Sequence, residues 1–555
     1  MTAVTADQAK AERWWFEAFE MSAQDYTMGR RGHVPLAYLR NALRIVDSSG
    51  IMEWIEQWDQ LSRKNRAGRK ADIPHRAVLV LFLLHIQEGR GVVYEQIADT
   101  LFNRLTDEEF ALLGVRDRHG NLADWYHRFW RAAQRLFSLV DSRPAPRRAR
   151  LTGSTFRNVL AARNTEECAE KLRRIDWVCN ALVQASFMMM PKDLRERHRG
   201  NIAIDATRID LPGRPNPVSD EYDRNSADPD AGRYRREGKH DGKGAAIDIP
   251  AYELEVATMT WNRPGETGQF PLLATAVGFH NPGKIRGAAL KMLLSLHERK
   301  HPIGVLAADG AYLPGSKPKH LQIPARQLGW EFASRLGKVQ MGQKAFFEDV
   351  IQVDGGWYVR WMPEELQSAN HDAFHKTIDE ETLRSRLAAR DQYRMKPKGK
   401  PDADGHQRFL YPPVGSYMAF DPLTRKRIKP PKTAKTITIP VDQGAKRVQK
   451  FPYGTSEWQR WYAMRSTVES FNSTLKKSTK EDLDNHGKRR GRGFTYQYLV
   501  STLAVVSANV RKLHDFISAL DPTPQETQRR QARRAVKRDP LLPEPQPTVR
   551  GSAPL

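Results

Sequence analysis

The sequence predicts a mixed α/β or α+β core placed behind an all-helical N-terminal region. Three observations carry this. Residues 36–140 hold apolar positions at helical spacing. From Asn201 the texture changes to short apolar runs, first in hairpin-like pairs and then alternating with helical stretches. Residues 339–452 change again, to short strands separated by polar, Lys- and Pro-rich connectors. A chain of 555 residues has room for about three or four such units.

Residues 1–30 are polar and are expected to fray. In the helical region, 31–150, the run 77–84 follows Pro74 and reads as one buried helix. It is the longest apolar run, and it is too short to cross a bilayer core of ~30 Å. Helices are expected at 93–102 and 106–113. Thr106 with Glu109 three residues on is a capping box, and Gly114 follows the second helix. Two short helices joined by a tight turn resemble a helix-turn-helix, which would place one helix in a DNA major groove. An ordinary helical bundle explains the same pattern. A basic, proline-containing stretch, 144–150, leads into helical residues 157–190, so 151–198 are expected to form a helical linker.

The first part of the core, 199–338, is expected to hold strands at 202–211, 251–261 and 272–279. A helix at 285–297, a strand at 303–309 and a helix at 321–328 follow. The polar loop 216–244, rich in Asp, Arg and Gly, is expected to be mobile or ordered by a ligand. Residues 339–452, with strands at 346–353, 357–361 and 436–441, read as a β-rich insertion that splits the core. The second part, 453–521, carries a helix at 461–477 and a last apolar helix at 498–520. The tail, 522–555, holds the basic run 529–538 and several prolines. It is expected to be disordered and to bind phosphates non-specifically.

Lys and Arg number 89 against 65 acids, a net charge of +24. Such a balance favours a polyanionic partner. A solvated basic surface, or a ribosome-associated or membrane-surface protein, has the same balance, and charge alone does not separate these. Cys168 and Cys179 form no Cys-x-x-Cys pair, so neither a disulfide framework nor a zinc site is expected, and a reducing cytosol fits. The first residues lack a basic segment followed by an apolar one, so no signal peptide and no membrane association are expected. There is no internal repeat, no Gly-x4-Gly-Lys-[Ser/Thr] phosphate loop and no Gly-x-Gly-x-x-Gly before a helix, which disfavours an ATPase or a dinucleotide enzyme.

Three acids stand out. Asp205 ends the run Ile202-Ala203-Ile204. Asp309 ends Val305-Leu306-Ala307-Ala308 and is followed by Gly310. Glu469 lies in the helix at 461–477. Two acids at strand ends and one on a late helix can converge on hard divalent cations. In so basic a chain, this points to metal-dependent cutting and joining of nucleic acid. On a helical wheel starting at Tyr462, Arg465, Glu469 and Lys476 fall at about 300°, 340° and 320°. Met464, Val468, Phe471 and Leu475 fall at about 200°, 240°, 180° and 220°, a separate apolar stripe. The polar stripe offers a carboxylate for metal, a guanidinium fork and an ammonium for phosphates, and an aromatic for stacking. Taken alone, the helix is more simply a solvated amphipathic one with an i,i+4 ion pair; combined with Asp205, Asp309 and the basic charge, the functional reading is preferred. Asp210 is expected to be structural, and Asp220, Glu221 and Asp223 to be a solvated loop. His240 and His280 lack partners at metal-ligand spacing.

The spacing Tyr462-x2-Arg465-x3-Glu469-x6-Lys476 resembles the Y-R-E-K signature of bacterial insertion-sequence transposases of the DDE type. Asp205, within Ile202-Ala203-Ile204-Asp205-Ala206-Thr207, is similar to that family's first acid. Asp309-Gly310-Ala311-Tyr312 is similar to its second. The Arg/Gly segment with Lys488, Arg489, Arg490 and Arg492, then a helix carrying Asn509 and Arg511, is similar to its C-terminal end. The resemblance spans about residues 60–520. It implies a ribonuclease-H-like core interrupted by the β-rich insertion, with Asp205, Asp309 and Glu469 around two Mg²⁺ or Mn²⁺ ions. Asp205 is expected to bridge the two ions. Tyr462, Arg465, Lys476, Lys488, Arg489, Arg490 and Arg492 are expected to contact DNA. Trp357, Trp361, Trp458 and Trp461 offer surfaces for a flipped base, although any one of them is more simply a core residue. The long loop 216–244 and the tail depart from the family.

The implied activity is binding of the terminal repeats of a mobile element, cleavage at its ends and joining of the freed 3′-hydroxyl to target DNA, with no covalent protein–DNA intermediate. The partners are double-stranded DNA and, because two ends are joined, at least a second copy of the chain. A cytoplasmic, nucleoid-associated location follows. Two other classes share these features: a nuclease of the same fold that does not join strands, and a domesticated DNA-binding protein without catalysis.

Overall fold

Aromatic burial starts at the first helix. The structure, a computed structural model, describes residues 6–520 except 24–25, 27–31, 64–70, 117–118, 147–149, 220 and 239–243. Within the supposedly frayed arm, α1 (Ala6–Phe19) buries Trp14, Trp15 and Phe19. They pack on Phe516 and His514, near the end of the described chain. Trp14 Nε1 also donates to Asp193 Oδ2 at 3.0 Å. α1 is held because its large rings bury apolar surface against the end of the described chain.

The helical region contains α2 (Leu36–Ser48), α3 (Ile51–Ser62), α4 (His75–Gln87), α5 (Tyr94–Asp99), α6 (Asp107–Leu113) and α7 (Leu122–Val140). All of α4 except Arg76 and Gln87 is buried, as its unbroken apolar run predicts. The capping box is present: Glu109 N donates to Thr106 Oγ1 at 3.3 Å, and Thr106 N donates to Glu109 Oε2 at 2.9 Å. Gly114 closes α6 in the left-handed conformation. The stretch 93–102 is not one regular helix, because α5 passes into a π-turn at Thr100–Arg104.

α8 (Gly153–Ala161), α9 (Thr165–Met188) and α10 (Lys192–Arg197) follow. α9 is a core element where a linker was expected. Asn180 clasps the sheet, with its Nδ2 donating to Val277 O at 3.0 Å and its Oδ1 accepting from Val277 N at 3.0 Å.

The central sheet is built from β1 (Ile202–Asp210), β2 (Gly232–Arg236), β3 (Ile247–Met259), β4 (Ala274–His280), β5 (Val305–Ala308) and β6 (Glu331–Ser334). Helix α11 (Ala288–Glu298) precedes β5, and α12 (Gln322–Gln327) precedes β6. The order across the sheet is β4-β3-β1-β5-β6. β3 is antiparallel to β1 and β4, whereas β1, β5 and β6 are parallel. Ala251 pairs with Asp210 of β1 and with Gly232 of β2, so β2 shares the β4 edge of β3. The fold is therefore mixed α/β.

The loop before β3 is largely ordered. Its Asn216, Arg224, Ser226 and Asp228 are buried. Asp228 accepts from Tyr252 OH at 2.9 Å and from Gly493 N at 2.7 Å. Buried polar groups that satisfy one another hold the described part around Asp228. Glu221 and Asp223 are exposed, as expected. Asp220 and His240 lie outside the described residues.

The insertion, expected to be β-rich, holds both strands and short helices. β7 (Gln343–Phe347), β8 (Val350–Val353) and β9 (Gly356–Val359) form an antiparallel sheet. The expected single strand at 346–353 is thus a hairpin, turning at Glu348, whose φ is 52°. Three short helices follow, α13 (Glu364–Gln367), α14 (Ala369–Phe374) and α15 (Glu380–Ala389), then small strands that end with Thr436–Ile439. Asp354 anchors the unit. It is buried, accepts from Gly342 N and Asn370 Nδ2, and pairs with the buried Arg390 at 2.7 Å. Removing one partner strands a buried charge, so Arg390→Leu should destabilise the protein by about 3–5 kcal/mol. A lower denaturant midpoint at constant slope checks this.

The chain returns through α16 (Ser456–Ala463) and α17 (Ser466–Lys476) and ends with α18 (Phe494–Ser518). The helix expected at 461–477 is therefore two, broken at Met464 and Arg465. Their amides bond three residues back, to Trp461 O at 3.3 Å and Tyr462 O at 2.9 Å, which tightens the joint. Asn509 on α18 bonds the Ala274 amide and carbonyl, and Arg511 pairs with Glu481. One apolar cluster runs from Trp14 through the sheet to Ile517, and a second lies under α11 on the other face. Among the described residues no helix is long and apolar enough to cross a membrane.

Candidate active site

The parallel pair β1–β5 brings two of the acids together. Its last matched residues are Ile204 and Ala308. Asp205 and Asp309 follow them directly, on strands that lie about 4.8 Å apart. Asp205 is not at a strand end, because β1 continues to Asp210 against β3. It stands where the pairing with β5 stops and the two strands diverge. This is the carboxyl edge of the parallel strands, where open α/β sheets bind ligands.

Strand alternation assigns the faces. Ala203 and Ala307 lie in the larger core with Val468, Phe471 and Leu475, whereas Ile204 and Ala308 lie in the smaller one. Asp205 therefore shares the face covered by α17. Met464, Val468, Phe471 and Leu475 are all buried, as their spacing predicts. This packing delivers Glu469 to the acid pair.

Arg465, at the break before α17, sits among the acids. Its Nη2 donates to Glu469 Oε1 at 2.6 Å, and its Nη1 is 4.0 Å from Asp205 Oδ1. Burial pushes the Asp205 carboxyl up to about 6, against the lowering effect of Arg465 and with the help of Glu469 and Glu255. Asp309 is exposed, and its Oδ1 accepts from Gly310 N at 2.7 Å. Burial raises the Tyr462 phenol, with Arg465 opposing and Asp309 adding to the rise.

Among the described residues, no three His, Cys, Asp or Glu side chains stand ready to hold a metal ion. The guanidinium of Arg465 takes a cation's place between the carboxylates. An acid pushed up by burial and by like charges belongs to a cluster short of positive charge. The donors of the three acids are oxygens only, the type of set that a hard divalent cation takes.

The basic residues divide. Lys476 pairs with Asp484 at 3.1 Å and Lys488 with Asp482 at 3.0 Å. Arg490 and Arg492 are exposed. Arg489 does not belong to a DNA-facing set. It is 4 % exposed and donates to Gln497 Oε1, Leu483 O and Asp210 O. Burial lowers its guanidinium to about 10, and it ties its loop to the end of β1. Asp210 pairs with Arg208 and is structural, as expected.

Among the tryptophans, Trp357 and Trp361 are buried. Trp458 donates to Ser334 O at 3.0 Å and stacks on Tyr462, with centroids 5.1 Å apart. Trp461 is half-buried beside Phe451 and Lys450.

Sequence reasoning missed Glu255. It is fully buried on β3, accepts from His280 Nε2 at 2.7 Å and accepts from Tyr312 OH. His280 therefore has a carboxylate partner, though not a metal-ligand set. Burial works against protonation of His280, but Glu255 and Glu253 raise it overall. The available signal was Glu253 and Glu255 at alternate positions in the mostly apolar stretch 249–257.

No protein-family model matches the chain, and no curated protein matches it.

Proposed function

We propose that this chain is a DNA transposase of the DDE type that cleaves the ends of a mobile element and joins them to target DNA. The observation that carries the reading is the convergence of Asp205, Asp309 and Glu469, remote in sequence, around Arg465. A mixed sheet in which only β3 runs against the other four strands of the main order, with two acids side by side and a third on a covering helix, supports a ribonuclease-H-like core.

Asp205, Asp309 and Glu469 would hold two Mg²⁺ or Mn²⁺ ions. When bound, the ions would supply charge neutralisation and activation of the attacking oxygen at the scissile phosphate. The residues do the rest. Arg465 leaves the carboxylates and grips a phosphate with its planar fork. Tyr462, braced by Trp458, presents a half-buried aromatic beside it. Arg490 and Arg492 carry backbone charge, and Lys476 and Lys488 exchange their acidic partners for phosphates. A second copy of the chain brings the other end.

The test is strand transfer of a pre-cut element end in Mg²⁺. Joined product is expected; cleavage without joining would leave a nuclease. Binding should weaken steeply with salt, by about −0.9 in the log–log slope for each phosphate neutralised. A flat salt titration together with no metal-dependent cleavage would overturn the reading.

A further inference from the structure

The Glu255–Tyr312 pair lies behind the acid cluster. Glu255 is opposite Ala206 on β1, whereas Asp205 is opposite Val256. Glu255 therefore points to the face away from Asp205, into the smaller core that contains Tyr312. A carboxylate fully buried among apolar side chains is costly to keep unless its partners compensate. Here two donors converge on it, Tyr312 OH and His280 Nε2. Tyr312 is 4 % exposed and is three residues beyond Asp309.

The turn between Asp309 and Tyr312 is short and internally bonded. Tyr312 N donates to Asp309 O at 3.0 Å and Leu313 N to the same oxygen at 3.1 Å. Gly315 N donates to Gly310 O at 2.7 Å. A Cβ at Gly315 would lie 2.4 Å from Ala311 O, so only glycine permits this closure. Asp309 itself is exposed and has no packing of its own comparable to that of Asp205. Asp309 directly follows the paired end of β5, and the turn beyond it is anchored in the smaller core by Tyr312 and Leu313, both buried; of these two, Tyr312 also bonds a sheet carboxylate.

We propose that Glu255 is a positioning residue that, through Tyr312, holds Asp309 in register with Asp205. His280 completes the clamp from β4 by satisfying the second carboxylate oxygen. This rests on the transposase reading of the acid cluster, but the clamp itself is visible without catalysis. A supporting shell of this kind matters because a misplacement of about 1 Å in a site can cost roughly 100-fold in rate.

The experiment compares wild type, Tyr312→Phe, Glu255→Gln and Asp309→Ala in three readouts. These are amide exchange over 309–315, Mn²⁺ titration of the free protein, and cleavage split into kcat and KM for DNA. Tyr312→Phe keeps the ring and loses only the donor. It is expected to speed exchange at Tyr312 and Leu313, to weaken Mn²⁺ binding about tenfold and to lower kcat by roughly 10- to 100-fold, with KM for DNA unchanged. Glu255→Gln keeps an oxygen for Tyr312 and should lose less. A purely structural pair would speed amide exchange over 309–315 while leaving Mn²⁺ affinity and kcat at wild-type values, and that result overturns the proposal alone. A wild type that neither binds Mn²⁺ nor cuts DNA overturns the functional reading, and the positioning role with it.

Discussion

Asp205→Ala, Asp309→Ala and Glu469→Ala are each expected to abolish Mg²⁺-dependent cleavage and to leave DNA binding intact. The loss should be at least about 1,000-fold, or about 4 kcal/mol of transition-state stabilisation. Each acid approaches the common point from a different element, so none can substitute for another. Substantial cutting by any one variant removes that residue from the set. The same chemistry has a stability consequence at Asp205. Its carboxyl is raised from the ordinary 3.8 to about 6, chiefly by burial. The folded state therefore holds the proton more tightly than the unfolded state does. Ionisation costs stability, not at all below the unfolded value and fully above about 6. Asp205→Asn should then raise the melting temperature at neutral pH but not at pH 4, while eliminating cleavage. An activity-killing variant that is more stable at pH 8 is what a functional acid cluster predicts. Equal melting shifts at both pH values would remove the electrostatic account.

Arg465→Ala is expected to separate metal binding from catalysis. The guanidinium lies 2.6 Å from Glu469 and 4.0 Å from Asp205, where it balances the carboxylates of the free protein. Its removal should leave Mn²⁺ affinity of the free protein unchanged or higher. Cleavage should still fall, by roughly 10- to 1,000-fold, as expected when a preorganised cationic donor is lost. Arg465→Lys should recover part of the rate, since an ammonium keeps the charge but not the fork. Parallel Mn²⁺ titrations and cleavage assays give the answer. If Arg465→Ala cuts terminal-repeat DNA at the wild-type rate, the arginine is only the i,i+4 partner of Glu469.

Local pattern made several elements legible. The buried helix α4, the Thr106 capping box and the apolar stripe of α17 depend on spacings within a few residues, and spacing is what a sequence displays. The three candidate acids stood out for a similar reason: each sits at a sharp local feature, the end of an apolar run or a position on a periodic helix. Other features were hidden. Arg489 lies in an Arg/Gly run that reads as uniformly exposed. It is buried because its guanidinium reaches Asp210 O, 279 residues away. Trp14 and Trp15 sit in a polar segment and are held by His514 and Phe516 from the other end of the chain.

The sequence by itself indicated a mixed helix-and-strand class, a helical N-terminal region and a change of texture at 339–452, and it singled out Asp205, Asp309 and Glu469 as candidates. Only the tertiary structure decided that Asp205 stands where β1 parts from β5 and that the late helix breaks at Arg465. It also placed that arginine between the carboxylates and put Glu255 and Tyr312 behind them. The division has a physical cause. Periodicity and capping are near-neighbour effects, set by backbone geometry over one or two turns. The partners of a buried charge are set by which distant strands and helices pack together, and the free energy of that choice belongs to the whole core.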